Sequence, residues 1–403
     1  MSKAPRPGKN CILTINGGSS SIKFALYEID SRLNVLLSGE MENIGQKNAA
    51  LHFKNPGHHP QHKITFKSED YESAVNWLID WLEKQVDFEL VKGIGHRVVQ
   101  GLEHTKPEKI TDSLLDDLKK ISALDPEHLP EEIKMIAVFR EHYPGLVQVA
   151  CFDTSFHTTM PPVAKLLAIP RRFQALGIKR YGFHGLSYAY LMEQLKLEEW
   201  NETARDRVIL AHLGNGASLA AVKDGKSVDT SMGFSPAAGI PMGTRTGDLD
   251  PGVAWYLMKS ENLSPKQFNQ LVNHESGLLG ISETSADMRE LLKIQETDSR
   301  AAEAVELFCY QTKKWIGSFA AALHGVDTLV FSGGIGENSP EVRERICDGL
   351  QFLGIELDKE KNLNNEPFIS ADVSTVSVRV IKTDEELMIA KSVCHLLNYK
   401  IKN

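Results

Sequence analysis

Ile12-Leu13-Thr14-Ile15-Asn16-Gly17-Gly18-Ser19-Ser20-Ser21-Ile22-Lys23-Phe24 is the stretch that decides how this chain is read. An apolar strand runs into two glycines and three serines, and a second, alternating strand runs out from Ile22 to Ile29. Glycines let backbone N–H groups approach an anion closely, serines add donors, and Lys23 adds a positive charge. Asn16 can offer a neutral oxygen to a metal or a water. No G-x-x-x-x-G-K-[ST] occurs here, so a phosphate cradle at this place is built on a hairpin and not at a helix start. Read alone, the same residues are equally an ordinary Gly/Asn hairpin.

Repetition changes that balance. Arg207 to Leu213 leads into Gly214-Asn215-Gly216-Ala217-Ser218, Leu219 to Lys223 leads out, and Asp224-Gly225 makes the next hairpin turn. A third apolar strand, Thr328 to Phe331, ends in Ser332-Gly333-Gly334-Ile335-Gly336-Glu337-Asn338. Three apolar strands thus each end in a Gly-rich polar turn. One hairpin in each half suggests two related halves across a cleft.

The 403 residues suggest two or three domains, and 42% hydrophobic with 24% charged residues is ordinary globular composition. A net charge of −8 without a basic run gives no support to a nucleic-acid partner. No apolar run is long enough to cross a bilayer, and the polar, basic residues Met1 to Lys9 read as a loose tail with no signal-peptide core behind them. Five scattered cysteines without a C-x-x-C pair read as reduced, mostly buried thiols of a cytoplasmic protein.

Residues 1–66 read as a β-rich meander, in which His58, His59 and His62 form either a metal cluster or a solvated loop. Helices are expected over 70–86, 111–121, 130–142, 186–198, 250–260, 264–273, 300–324, 340–352 and 384–398, with buried strands at 93–99 and 147–152. Alternation of helices and strands in the second half argues for an α/β architecture. Several charges then fall where a core pattern would not put them. Asp153 follows a five-residue apolar run, so it points into a site or caps the turn after it. Arg97, inside an apolar strand, must meet a carboxylate or a ligand anion, because an unpaired buried cation is costly. His184 is framed by glycines in Arg180-Tyr181-Gly182-Phe183-His184-Gly185, and Pro241 to Pro251 is dense in Gly, Arg and Asp.

With these segments in order, the chain resembles an acetate kinase, of the acetate and sugar kinase, Hsc70 and actin superfamily. The matching motifs are Asn16 to Lys23, Gly95 to Val99, Phe152 to His157, Arg180 to Gly185, His212 to Ser218, Asp229 to Phe234, Met242 to Pro251, Ser276 to Ser282 and Gly333 to Ser339. The resemblance implies a two-domain actin-like fold, ribonuclease H-like and duplicated, with mixed β-sheets flanked by helices and the active site in an inter-domain cleft. Residues 1–153 with a C-terminal helix 386–403 would form the N-terminal domain, and 154–385 the nucleotide-binding domain. It implies ATP- and Mg²⁺- or Mn²⁺-dependent, reversible phosphorylation of acetate, with a propionate or butyrate kinase as the alternative within the family. A non-catalytic actin-like nucleotide switch is the alternative of another class.

By matching, Asn16 and Glu385 are expected to hold the metal through oxygens or waters. Arg97 and Arg245 flank the carboxylate and the phosphoryl group, Asp153 is the family's catalytic aspartate, and His184 stabilises the transition state with His128 as its supporting partner. Lys23, His212, Asn215, Gly216, Asp287-Met288-Arg289 and Gly334-Ile335-Gly336-Glu337-Asn338 fall on the phosphate and nucleotide side. Arg97, Val99, Phe183 and Pro236 line the acyl pocket. A homodimer is expected. Since a carboxylic acid substrate is already ionised at pH 7, Asp153 is read as orienting Mg²⁺ and its waters, not as a base. The chain departs from the family at Leu124-Asp125-Pro126-Glu127-His128-Leu129-Pro130, where Glu127 replaces the leucine of the pocket and Leu129 an asparagine. Glu127 then turns to solvent, pairs with an arginine, or marks a substrate other than acetate. Leu186, Tyr188, Pro241 and Met288 are further departures.

Overall fold

The computed structural model describes residues 9–18, 20–55, 62–122, 125–197 and 206–401. Ser19, His58, His59, Leu124, the first eight residues and the expected helix end at 198 lie outside the described residues. The chain divides into two compact units, Met1–Ser155 with Asp384–Asn403, and Phe156–Thr383.

The first unit is built on strands β1 (Cys11–Gly17), β2 (Ile22–Ile29), β3 (Leu33–Glu42), β4 (Ala50–Lys54), β5 (His62–Thr65), β6 (Val91–Val98), β7 (Glu108–Lys109) and β8 (Gln148–Phe152). They form one sheet in the order β5-β4-β3-β2-β1-β6-β8-β7. From β1 to β5 the pairing is antiparallel, whereas β6 and β8 run parallel to β1. β1 is buried at every position, as a central strand covered on both faces must be. Helix α1 (Tyr71–Gln85) opens on a capping box between Asp70 and Ser73 and lays Ala74, Val75, Leu78, Ile79 and Leu82 into the core with Leu13, Ile15 and Phe24. Helices α2 (Asp112–Ile121) and α3 (Leu129–His142) close a second cluster against Val98 and Phe152. The closing helix Glu385–Leu396 packs on β1 and β6. A Cβ on Gly95 would lie 2.3 Å from Ile389 Cγ2, so β6 admits this helix only because that position is bare.

In the second unit, β9 (Arg207–Leu213), β10 (Ala217–Lys223), β11 (Lys226–Thr230), β12 (Thr328–Ser332) and β13 (Ser377–Val380) form a sheet in the order β11-β10-β9-β12-β13. The first three are antiparallel and the last two are parallel to β9. This repeats the pattern β3-β2-β1-β6-β8 of the first unit, so the mixed-sheet core is duplicated. Helix Gly185–Leu197 covers the sheet with Tyr188, Leu191 and Leu195 against Val208, Leu210 and Val222.

Two expectations are corrected. The third Gly-rich segment is the short helix Gly333–Asn338, not a turn: Glu337 bends back so that its Oε1 accepts from the Gly333 N–H at 2.9 Å, and Asn338 Nδ2 donates to the Gly334 carbonyl. The helix from Pro340 stops at Cys347, before Asp348-Gly349, where Gly349 takes a φ of +77°, and a 3₁₀ turn follows at Gln351–Leu353. His62 stands at the start of β5, stacked on Phe53. All five cysteines are free and buried. Among the described residues no helix is long and apolar enough to cross a membrane.

Candidate active site

In the first unit, parallel strands β6 and β8 end side by side, with Arg97 opposite Cys151 and Val98 opposite Phe152. The Asp153 N–H extends this ladder to the Val98 carbonyl at 3.0 Å, which places Arg97 and Asp153 at the carboxyl ends of adjacent strands, the usual ligand position of such sheets. Asp153 Oδ2 accepts from Arg97 Nε at 3.0 Å and Nη2 at 2.6 Å; the carboxylate is fully buried and the guanidinium is 15% exposed. Burial works against the Arg97 charge, but Asp153, then Glu385, hold its pKa well above the ordinary value. The cation thus sits at a strand end as a fixed, oriented fork.

The hairpin of β1 and β2 sets Asn16 opposite Lys23. Asn16 Nδ2 donates to Glu385 Oε2 at 3.0 Å and to Glu386 Oε1 at 3.2 Å, both in the first turn of the closing helix, while its Oδ1 faces Arg97 Nη1 at 3.5 Å. A helix start tolerates such carboxylates because its N-terminal end is positive. Burial, then the neighbouring Glu385, push the Glu386 carboxyl up. Lys23 is about half exposed, 4.0 Å from Glu40; burial works against its ammonium, but Glu40, Glu386 and Glu385 raise its pKa. Two neighbouring carboxylates with this surplus of negative charge are the hard oxygen donors that Mg²⁺ prefers. Among the described residues no group of three or more His, Cys, Asp and Glu side chains is arranged as a metal centre. The donor set therefore fits an ion held largely by waters and phosphate oxygens.

Val99 is buried, and its N–H donates to both oxygens of Glu132, at 3.0 and 3.3 Å. Burial, opposed by Arg97 and the Val99 N–H, raises the Glu132 carboxyl to about 8. His128 Nδ1 donates to Asp125 Oδ1 at 3.0 Å. Glu127, beside it, is half-buried, not carried out into solvent.

In the second unit, Gly214-Asn215-Gly216 turns β9 into β10, with Leu213 opposite Ala217. A Cβ on Gly216 would stand 3.5 Å from His184 Nε2 and 3.6 Å from Arg245 Nη1, so both side chains converge on that bare position. A Cβ on Gly243 would fall 2.0 Å from Asn215 Oδ1, and the Gly243 N–H donates to the Asn215 carbonyl. Arg245 Nη1 also donates to the carbonyl of Pro236, which is buried. His184 adopts a left-handed φ of +58°; its ring lies 4.4 Å from that of His212, and its Nδ1 is 2.8 Å from Ser218 Oγ. His212 Nδ1 in turn meets Ser187 Oγ. The buried His157 fixes the next layer. The Phe183 carbonyl can only accept, so His157 Nε2–H donates to it at 3.0 Å and Nδ1 accepts from Ser227. Burial lowers the His157 pKa to about 4, so the ring is neutral.

On the expected nucleotide side, Asp287 caps helix Met288–Ile294 through the Arg289 N–H and pairs with the exposed Arg289 side chain; Met288 is buried. Gly334 is exposed, Ile335 is half-buried and Gly336 buried; Glu337 Oε1 also accepts from the Thr383 N–H. Glu132 and Glu386 escape a sequence reading, and so do the hydrogen-bonding roles of Ser218 and Tyr188. Glu132 alone leaves a signal, since 129, 132, 133 and 136 form the buried stripe of α3.

A mixed-sheet core repeated in one strand order, each copy carrying a glycine hairpin, is the architecture of the actin-like fold. The model of the acetokinase family matches residues 11–391. A propionate kinase of Citrobacter rodentium is 42% identical over 96% of each chain. An acetate kinase of Thermoanaerobacterium thermosaccharolyticum is 44% identical over 94% of this chain and 97% of its own. The crystal structure of Porphyromonas gingivalis acetate kinase superposes with a TM-score of 0.85 at 36% identity, covering 96% of this chain and 100% of that one. The chain belongs to the acetokinase family and is an ATP-binding kinase.

Proposed function

We propose that this protein reversibly phosphorylates acetate with MgATP to give acetyl phosphate. The observation that carries the reading is Arg97, an oriented, half-buried cation two residues from the buried Val99. One ion-pairing end beside one apolar wall suits a short carboxylate.

A carboxylate oxygen of the substrate forms the new bond to the γ-phosphorus, the bond to the β-phosphate oxygen breaks, and ADP leaves with the electron pair. No proton need move, because the acid is already ionised. The residues therefore act by position and charge. Arg97 holds the substrate carboxylate, and Asp153 fixes the Arg97 fork and would orient Mg²⁺ and its waters. Arg245 and His184, convergent at Gly216, stabilise the charge of the transferring group. The turn Gly214–Gly216 and helix Gly333–Asn338 serve the nucleotide. Glu385, with Glu386 and Asn16 behind it, would hold Mg²⁺, which when bound neutralises phosphate charge. Val99 of the first unit, and Phe183 and Pro236 of the second, are the apolar side chains assigned to the substrate's alkyl end.

Propionate is the second reading, favoured by the propionate kinase at 42% identity. A second copy of the chain is the expected partner, and helix Pro251–Ser260, none of whose residues is buried, presents Val253, Trp255 and Tyr256 for it.

The test is a hydroxamate assay of acyl phosphate with acetate, propionate and butyrate, repeated with Glu127→Leu. Acetate is expected to have the highest kcat/KM, and the variant to gain with the longer acids. A higher kcat/KM for butyrate would sink the assignment, and no acyl phosphate from any acid would remove the catalytic reading.

A further inference from the structure

His184 presents Nε2 towards Gly216, and its opposite nitrogen is not left to chance. Nδ1 lies 2.8 Å from Ser218 Oγ, and the same oxygen lies 2.5 Å from the hydroxyl of Tyr188. Ser218 and Tyr188 are both fully buried. The Tyr188 ring is wedged between Phe156 and His157, at 5.8 and 5.6 Å. All of these residues sit on rigid parts of the second unit: Ser218 on β10, Tyr188 on the first turn of helix Gly185–Leu197, and His184 immediately before that helix. His184 takes a left-handed φ of +58° just before that helix, which sets the direction of its ring.

We propose that Tyr188 and Ser218 are positioning residues that hold the His184 imidazole as a neutral donor, with its proton on Nε2 facing the transferring phosphoryl group. The inference rests on the kinase reading given above for His184.

The serine hydroxyl has one proton, so the chain has two polarities. In one, Tyr188 O–H donates to Ser218, Ser218 O–H donates to Nδ1, and the proton of the neutral ring sits on Nε2. In the other, Nδ1–H donates to Ser218 and Ser218 donates to Tyr188, which leaves a bare lone pair on Nε2. A phenol is a far stronger acid than an aliphatic hydroxyl, so it is the better donor at a short O···O distance. That selects the first polarity. The titratable and charged groups that face the ring select it too. They are Tyr188 through Ser218, His212 with its ring tilted against that of His184 at 4.4 Å, and Arg245, which shares the Gly216 position with Nε2. The guanidinium beside Nε2 opposes a second cation there. A neutral N–H donor meets an anion without adding a charge beside Arg245, and the hydrogen bond at the other nitrogen decides which tautomer is present.

The experiment has two arms. Long-range ¹H–¹⁵N correlation spectra of the full chain, with the His184 signals identified by their loss in His184→Gln, read the tautomer directly near pH 8. A neutral ring protonated on Nε2 is expected; a ring protonated on Nδ1, or still an imidazolium, overturns the proposal. In the second arm, Ser218→Ala is expected to lower kcat on the order of ten- to a hundredfold with both KM values little changed. In the His184→Gln background the same substitution is expected to cost nothing further. An equal fall in both backgrounds means that Ser218 acts on packing alone and also overturns the proposal. If the wild type made no acyl phosphate, the kinase reading would fail, and the spectrum would still report the tautomer.

Discussion

Replacing Glu132 by glutamine isolates one buried ionisation. The carboxyl is 2% exposed, accepts from the Val99 N–H through both oxygens, and is raised to about 8 by burial, against the pull of Arg97. In the unfolded chain its value is the ordinary 4.5. Below that value both states are protonated and the group has no effect on folding. As pH rises, the unfolded chain releases the proton while the folded one keeps it, so stability falls by about 1.4 kcal/mol per pH unit until the folded group also ionises near pH 8. Between about pH 5.5 and pH 8 the wild type should therefore lose roughly 3 kcal/mol that Glu132→Gln retains, since an amide oxygen can still accept from Val99 but does not titrate. A chain of two compact units need not unfold in one step, so the quantity to measure is the difference between wild type and variant in the transition that reports on the first unit. Urea unfolding at a series of pH values, followed through Trp77 and Trp81 of α1 with the tryptophans outside that unit replaced by phenylalanine, supplies it. A difference that stays flat with pH, or that grows towards acid, would refute the argument and show that Glu132 is ionised inside the fold.

Three further outcomes are expected. Gly216→Ala should fold normally, because its Cβ would make only ordinary contacts at 3.5 and 3.6 Å, yet kcat should fall about a hundredfold because the methyl occupies the point where His184 and Arg245 converge; steady-state kinetics beside a thermal melt separate the two effects. Gly243→Ala drives a methyl into Asn215 Oδ1 and should cost about 1–3 kcal/mol together with a raised KM for ATP, measured by denaturation and an ATP titration. Arg97→Met should abolish activity and destabilise the first unit by about 3–5 kcal/mol, since it leaves the fully buried Asp153 carboxylate uncompensated, and adding Asp153→Asn should recover part of the loss in the same melts.

The parts of this fold that are legible in the sequence are those where one physical signal acts alone. The β1–β2 hairpin shows as apolar runs broken by glycine, and α1 as a stripe of Ala74, Leu78 and Leu82 at helical spacing. The short helices Gly277–Ser282 and Gly333–Asn338 do not show, because glycine and serine favour turns and only Glu337 folding back over Gly333 makes the second one a helix. Strand β13 carries Arg379 at a fully buried place, where its guanidinium stacks on Phe368 at 3.9 Å, and a charge at that point hides the strand's alternation. Arg97 and Asp153 can be singled out because each breaks an apolar run. Their pairing cannot, since it follows from β6 and β8 lying side by side. Glu132 looks like an acid placed at a helix start for the dipole, and only the phase of α3 turns it inward.

The first unit begins the chain and is completed by its last helix. Between them in the order of synthesis comes the whole of Phe156–Thr383. Until residues 385–396 emerge, the face of β6 at Gly93 and Gly95 lacks Ile389 and Val393, and Asn16 lacks the carboxylates of Glu385 and Glu386. A nascent chain on the ribosome can therefore fold its second unit while the first still shows an open apolar groove and an Asn16 amide without its two carboxylate acceptors. Activity should consequently require residues 385–396 to have left the ribosome. A chain interrupted before residues 385–396 would have made the whole of its second unit while leaving the first without its closing helix.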